Sequence, residues 1–228
     1  MAVVNNAHYV GRSEASRKVV THRKMNFTGW VFSKKNECLV AYESLLERDY
    51  IQLVEVDPNV KSYREQPEPL TWSDGHDTYR TTFDFAVTRH DGARYLVEIK
   101  PFAKVVKYGL DELYGFVRHA AKRQGYDGFE LWTDREIRAT PRLGNAELLV
   151  SANTAAIDRT DEMTMQICVR LLRKNAARVS IGELRASSGL GPKAYWQILR
   201  MVAAGQLVPA DRSAALNDAA VLVISGKR

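Results

Sequence analysis

Asp84, Glu98 and Lys100 are the residues whose types and spacing point most directly to chemistry. The segments TTFDFAV and YLVEIK flank TRHDGA and read as two hairpin strands joined through an Asp-Gly turn signal. Side chains alternate across a strand, so Phe83, Phe85 and Val87 are expected on one face and Thr82, Asp84 and Ala86 on the other. By the same rule Tyr95, Val97 and Ile99 share a face, leaving Leu96, Glu98 and Lys100 opposite. If both apolar sets meet one core, paired residue numbers must have an even sum. An odd loop around Asp91-Gly92, such as a three-residue turn with a bulge, supplies that register and sets Asp84 across from Glu98. Two opposed carboxylates repel unless a cation lies between them. The pair is therefore a hard-oxygen site suited to Mg²⁺ or Mn²⁺. Lys100, beside it, could orient or help deprotonate an attacking water, or neutralise charge developing on a phosphate.

A third carboxylate is expected from the element that precedes the hairpin. A helix pattern starts near Glu37, with Leu39, Glu43, Leu46, Tyr50 and Leu53 at helical spacing on one face. Glu43 is out of place on that apolar stripe and is the natural partner of Asp84 and Glu98. A carboxylate-bearing helix, then an Asp strand, then a Glu-x-Lys strand is how metal-dependent phosphodiester hydrolysis is built in the PD-(D/E)xK nucleases.

The surrounding elements place this site in a mixed α/β domain. VKSYREQ reads as a strand before the hairpin, Leu110 to Gln124 as a helix after it, and FELWT as a further strand. From about Ala156 the composition changes: TDEMTMQICVRLLRKNA, VSIGELRASSG and PKAYWQILRMVAAG read as three helices, with Gly189 and Gly205 at stop positions. Two short strands follow, which gives a winged-helix outline. The expected architecture is a basic N-terminal arm and restriction-endonuclease-like core with a mixed sheet over residues 1–155, then a winged-helix domain over 156–228.

Length and composition exclude several classes. The chain has 228 residues, of which 45% are apolar and 26% charged, as in ordinary globular proteins. No apolar run approaches the roughly 20 residues of a membrane span and no secretory segment opens the chain, so a cytoplasmic protein is expected. Cys38 and Cys168 fall far apart, on expected helices, without CxxC spacing or nearby His pairs; reduced buried thiols are expected. The net charge of +6 is uneven: residues 1–40 hold seven Lys and Arg against two acids, whereas 41–100 hold seven against twelve. Basic flanks around an acidic centre fit a nucleic-acid partner whose phosphates meet the cations. Neither a phosphate-binding G-x-x-x-x-G-K-[ST] loop nor G-x-G-x-x-G occurs, so any ATP dependence belongs to a partner.

With these residues in hand, the chain resembles TnsA, the endonuclease subunit of heteromeric transposases. The resemblance rests on AYESLLERDYIQLVEVDPNVKSYREQPEPL, with Glu43 in the acidic position and Glu-Gln-Pro at its end, and on FDFAV, YLVEIKP and WTDREI. RMVAAGQLVPADRSAALNDAAVLVI is similar to the family's ending, so coverage runs from about Arg12 to Ile224. The resemblance implies an enzyme that cuts the 5′ ends of a transposon while a DDE-type partner transposase cuts and joins the 3′ ends. It implies Glu43 and Asp84 as metal ligands and Lys100 as the catalytic lysine. Glu98, a position where some members carry another polar residue, completes the carboxylate cage, and the Ile99 carbonyl could add a backbone ligand. The C-terminal domain would recruit a regulatory AAA+ ATPase.

Further positions are candidates beside these. Gln66, in the Glu-Gln-Pro signature, could contact the water or the scissile phosphate. Arg17, Lys18, Arg23, Lys24, Lys104 and Lys107 are candidate contacts to transposon-end DNA. Lys193, Gln197 and Arg200 form an expected outer face of the last helix, modest for a groove reader. Trp30, Trp72, Trp132 and Trp196 are expected in packing. Two other classes remain open: a catalytically silent docking adaptor, and a stand-alone nuclease of restriction or repair type.

Overall fold

The computed structural model describes residues 11–13, 15–16, 27–154, 158–173 and 178–224. Two compact units divide at Arg138/Ala139.

The first unit opens with a β-hairpin, β1 (Gly29–Ser33) and β2 (Cys38–Tyr42), followed by helix α1 (Leu45–Val56). The helix expected from Glu37 is thus corrected. Glu37 adopts φ +54 in the hairpin turn, CLVAY pairs with GWVFS, and helix begins only after Ser44, whose hydroxyl accepts the Glu47 N–H. Cys38 consequently sits on a strand, and Glu43 in the turn ahead of α1. Next come β3 (Val60–Glu65), the small hairpin β4 (Leu70–Ser73) and β5 (Thr78–Thr81), and the strands β6 (Phe85–Arg89) and β7 (Arg94–Ile99). Helices α2 (Phe102–Tyr108) and α3 (Leu110–Arg123) lead to β8 (Gly128–Trp132) and the short α4 (Asp134–Ile137). Gly109, at φ +58, breaks what would otherwise be one helix into α2 and α3.

The central sheet is mixed, in the order β3-β6-β7-β8, with only β7 and β8 parallel; α2 and α3 supply the crossover that parallel pairing needs. Both faces are covered. On one, α3 buries Tyr114, Val117, Ala120 and Ala121 against Leu96, Phe129, Leu70 and Trp72. On the other, Tyr50 of α1 packs 5.3 Å from the Phe85 ring and 5.4 Å from Trp132. Phe83 departs from its expected face: it precedes β6, outside the alternation, and joins the α3 cluster. Trp30 lies at the surface, with the Arg12 guanidinium 4.6 Å over its ring.

The second unit contains α5 (Arg142–Thr154), α6 (Arg159–Arg173), β9 (Arg178–Ser180), α7 (Ile181–Ser188), α8 (Lys193–Ala203), β10 (Leu207–Pro209) and β11 (Val221–Ile224). Its strands form an antiparallel sheet ordered β10-β11-β9. The expected boundary at 155/156 falls after α5, yet α5 packs within this unit. Asn145 exchanges hydrogen bonds with Ala214 and Leu216, and the Ala152 carbonyl accepts from Arg200. The outer face expected on α8 is not formed. Gln197 is buried, Lys193 pairs with Asp161 at 3.2 Å, and Arg200 reaches back to α5. Trp196 is part-exposed.

Candidate active site

The β6–β7 hairpin takes the even-sum register. Phe85 pairs with Val97 and Val87 with Tyr95; the paired strand begins at Phe85, and Asp84 just ahead of it meets β7 through its side chain, which accepts the Ile99 N–H. The loop closes through Gly92 at φ +90, donating to the Arg89 carbonyl, while the Arg89 N–H reaches Ala93. This is the odd, bulged turn the sequence calls for.

The carboxylates meet at Lys100. Asp84 Oδ2 accepts the Ile99 N–H at 2.7 Å and lies 3.8 Å from Lys100 Nζ. The same ammonium is in direct contact with Glu98 Oε1. Lys100 therefore sits between the two acids as the cation that their opposition demands. Burial pulls the Lys100 pKa down, but the charges of Asp84, Glu98 and Glu47 outweigh it, so the net shift is upward. Glu98 is buried; burial, then repulsion by Asp84, pushes its pKa up to about 7 against the pull of Lys100. Tyr114 of α3 brings its hydroxyl within 3.5 Å of Glu98 Oε1, and burial with Glu98's charge raises that phenol's pKa.

A third acid, Glu47, reaches Asp84 and Lys100 electrostatically, and it is not among the residues singled out from the sequence. Burial, then the charge of Asp84, drives the Glu47 pKa up to about 7, and Glu47 in turn supports the Lys100 charge. Glu43, expected in this role on a helix face, lies before the helix and donates its backbone N–H to Glu47 Oε2 at 2.8 Å. A signal was present: Ser44-x-x-Glu47 ahead of an apolar run is a helix-start pattern, and it would have begun the helix eight residues after Glu37.

Gln66 is buried beside the cluster with φ +43. Its N–H donates to the Asp84 carbonyl at 2.8 Å, and its own carbonyl accepts from Ser16 N–H at 2.9 Å. Its side-chain Oε1 has no hydrogen-bond partner among the described residues. Residues ahead of the first hairpin lie alongside: the Ser13 N–H donates to the Leu39 carbonyl and the Leu39 N–H to the Gly11 carbonyl, Ser13 Oγ donates to buried Glu65, and Ser16 Oγ donates to the Pro67 carbonyl. Lys104 and Lys107 are exposed on α2. Arg17, Lys18, Arg23 and Lys24 lie outside the described residues.

Among the described residues no three His, Cys, Asp or Glu side chains form a ready-made metal centre. Two features nevertheless fit a hard divalent cation. The donors Asp84, Glu98 and Glu47 are all carboxylates. Glu98 Oε2 is buried with no hydrogen-bond partner among the described residues, an arrangement that costs free energy unless something else satisfies it.

Residues 57–134 match the family model described as TnsA-like endonuclease N terminal. The matched segment contains Gln66, Asp84, Glu98, Ile99, Lys100, Lys104 and Lys107; Glu47 and the whole second unit lie outside it. A search of curated proteins gave no match. No helix among the described residues is long and apolar enough to cross a membrane.

Proposed function

From the TnsA-like endonuclease domain that the first unit carries over residues 57–134, we propose that this chain is a metal-dependent DNA endonuclease that cleaves the 5′ ends of a transposon together with a DDE-type transposase. The observation that carries the reading is the Lys100 ammonium lodged between Asp84 and Glu98 in the matched segment.

Asp84, Glu98 and Glu47 would hold Mg²⁺ or Mn²⁺, with Glu47 taking the part first assigned to Glu43 and the Ile99 carbonyl close by. When bound, such an ion supplies Lewis acidity toward the phosphate and a lowered pKa for water. The chain's own groups do the rest. Asp84 is fixed by the Ile99 N–H on its side chain and the Gln66 N–H on its carbonyl, so its carboxylate is preorganised. Lys100 would turn from the carboxylates to the phosphate, donating to the oxygens on which charge develops and orienting the attacking water. Gln66 Oε1, buried and without a hydrogen-bond partner among the described residues, would accept a hydrogen bond from a water at the site. Lys104 and Lys107, with Arg17, Lys18, Arg23 and Lys24, would contact the DNA backbone and make binding salt-dependent.

The second unit follows the order helix, strand, two helices, two strands after α5, which supports the winged-helix reading. With Gln197 buried and Lys193 and Arg200 engaged, that unit would dock a regulatory AAA+ ATPase rather than read a DNA groove. The complex would work in the cytoplasm. A second reading, a silent adaptor, draws on the absence of a ready-made metal centre among the described residues. The test is cleavage of end-labelled transposon-end DNA by the chain with its transposase, in Mg²⁺ or EDTA, comparing wild type with Asp84→Ala. Metal-dependent 5′-strand nicks lost in the variant support the nuclease; nicks that persist in it, or none from either protein, sink it.

A further inference from the structure

Glu47 projects from the first turn of α1 on a side chain with three rotatable bonds. It also lies within electrostatic reach of Asp84, a like charge. A carboxylate in that setting needs something to hold it. Three contacts do so, and all come from the residues that start α1. Ser44 Oγ accepts the Glu47 backbone N–H at 3.2 Å and donates its proton to Glu47 Oε1 at 2.8 Å. The Glu43 N–H donates to the other oxygen, Oε2, at 2.8 Å.

This differs from an ordinary capping box. There the glutamate reaches back to the N–H of the capping serine itself; here it reaches one residue further, to Glu43, and the serine hydroxyl closes onto the carboxylate instead. Each oxygen receives one donor from the helix start, and a carboxylate offers about four lone-pair sites. Lone pairs therefore remain on both oxygens for another ligand.

We propose that Ser44 is a positioning residue: its hydroxyl fixes the Glu47 carboxylate beside Asp84 so that the two can share a divalent cation. The assignment rests on the metal-dependent reading above, and goes beyond it by giving a residue outside the carboxylate–lysine cluster a role in building the site. The role is distinct from helix capping, because glycine caps a helix nearly as well as serine but has no proton to donate.

The test measures Mn²⁺ binding to the full chain by the EPR signal of the free ion, alongside the melting temperature in EDTA. Ser44→Gly is expected to bind Mn²⁺ about 10-fold more weakly, the scale on which groups behind metal ligands act, with a melting temperature close to wild type. Ser44→Ala should show the same loss of binding and also melt roughly 2–4 °C lower. Ser44→Thr, which keeps the hydroxyl, should restore binding. If Ser44→Gly binds as wild type does while Asp84→Ala has lost the ion, the positioning role is wrong and the metal site stands. If wild type binds no Mn²⁺, both the positioning role and the metal-dependent reading fall.

Discussion

The helices α1 and α7 begin with the same four-residue device, Ser-x-x-Glu, and turn it to opposite ends. At Ser180-x-x-Glu183 the glutamate is exposed, accepts from the Ser180 N–H at 2.7 Å and from its hydroxyl at 2.8 Å, and has its pKa lowered by those bonds. At Ser44-x-x-Glu47 the glutamate also accepts two short bonds, yet its pKa is pushed up to about 7. The local hydrogen bonds favour the charged form in both places. What differs is burial, and the charge of Asp84 reaching Glu47 from the strand side. One short pattern can be a helix start alone or a helix start that also arms a site, and only the tertiary setting distinguishes them.

The strongest way to break this comparison is to remove the partner charge. Asp84→Ala should bring cleavage down to the EDTA background and let the Glu47 pKa fall towards the ordinary range, followed by NMR titration of labelled glutamate side chains. A Glu47 pKa unmoved in that variant would show that burial alone sets it.

Paired substitutions come next. If Glu47 is a metal ligand as proposed, Glu47→Gln should cut cleavage by at least about 100-fold, more than losing the group behind it would cost. Glu183→Gln should leave cleavage unchanged. Equal effects on rate would erase the distinction between the two helix starts.

Acidity offers a third probe. The folded pKa values of Glu47 and Glu98, both pushed up to about 7, exceed the roughly 4.3 of an unfolded glutamate, so the native state holds more protons in between. Their contribution to stability is full below about pH 4.3 and is lost as pH rises through about 7. In EDTA, denaturant midpoints should therefore carry a component that falls over that window, flattened in Glu47→Gln and Glu98→Gln. Glu183 has the opposite sign, its contribution being lost as pH falls through its lowered pKa. The smallest effect belongs to Ser180→Ala, which should cost about 1 kcal/mol of stability and leave Mn²⁺ binding untouched. A change in binding there would mean that the second unit influences the site.

Much of the site could be read from the sequence, for reasons specific to each part. Period-two alternation and the Asp-Gly turn were enough to set the β6–β7 register and bring Asp84, Glu98 and Lys100 together. The N-terminal side was harder. Leu39, Glu43, Leu46, Tyr50 and Leu53 happen to fall at helical spacing across a strand, a turn and a helix, so one period seemed to explain three elements. The serine at position 44 was the arbiter, because an N-cap must precede the helix it starts. Glu47 escaped notice because a search for an acid on an apolar stripe passes over one in a first turn, where glutamates are common. The α2–α3 break hinges on one left-handed glycine, and α5 joins the second unit through polar bonds to Ala214 and Leu216 that no local pattern announces.

The short run from Gly11 to Ser16 gives the N-terminal side of the first unit an unexpected fragility. Trimming the chain just before Gly11 would spare the bonds described above for that run, whereas trimming just after Ser16 would strip the hydroxyl from a buried Glu65 whose other oxygen already lacks a hydrogen-bond partner among the described residues. The second cut would also expose the Gln66 carbonyl on the peptide whose N–H grips Asp84. A protease or an affinity tag placed a few residues apart could thus leave one preparation intact and the other with a slackened wall beside Asp84.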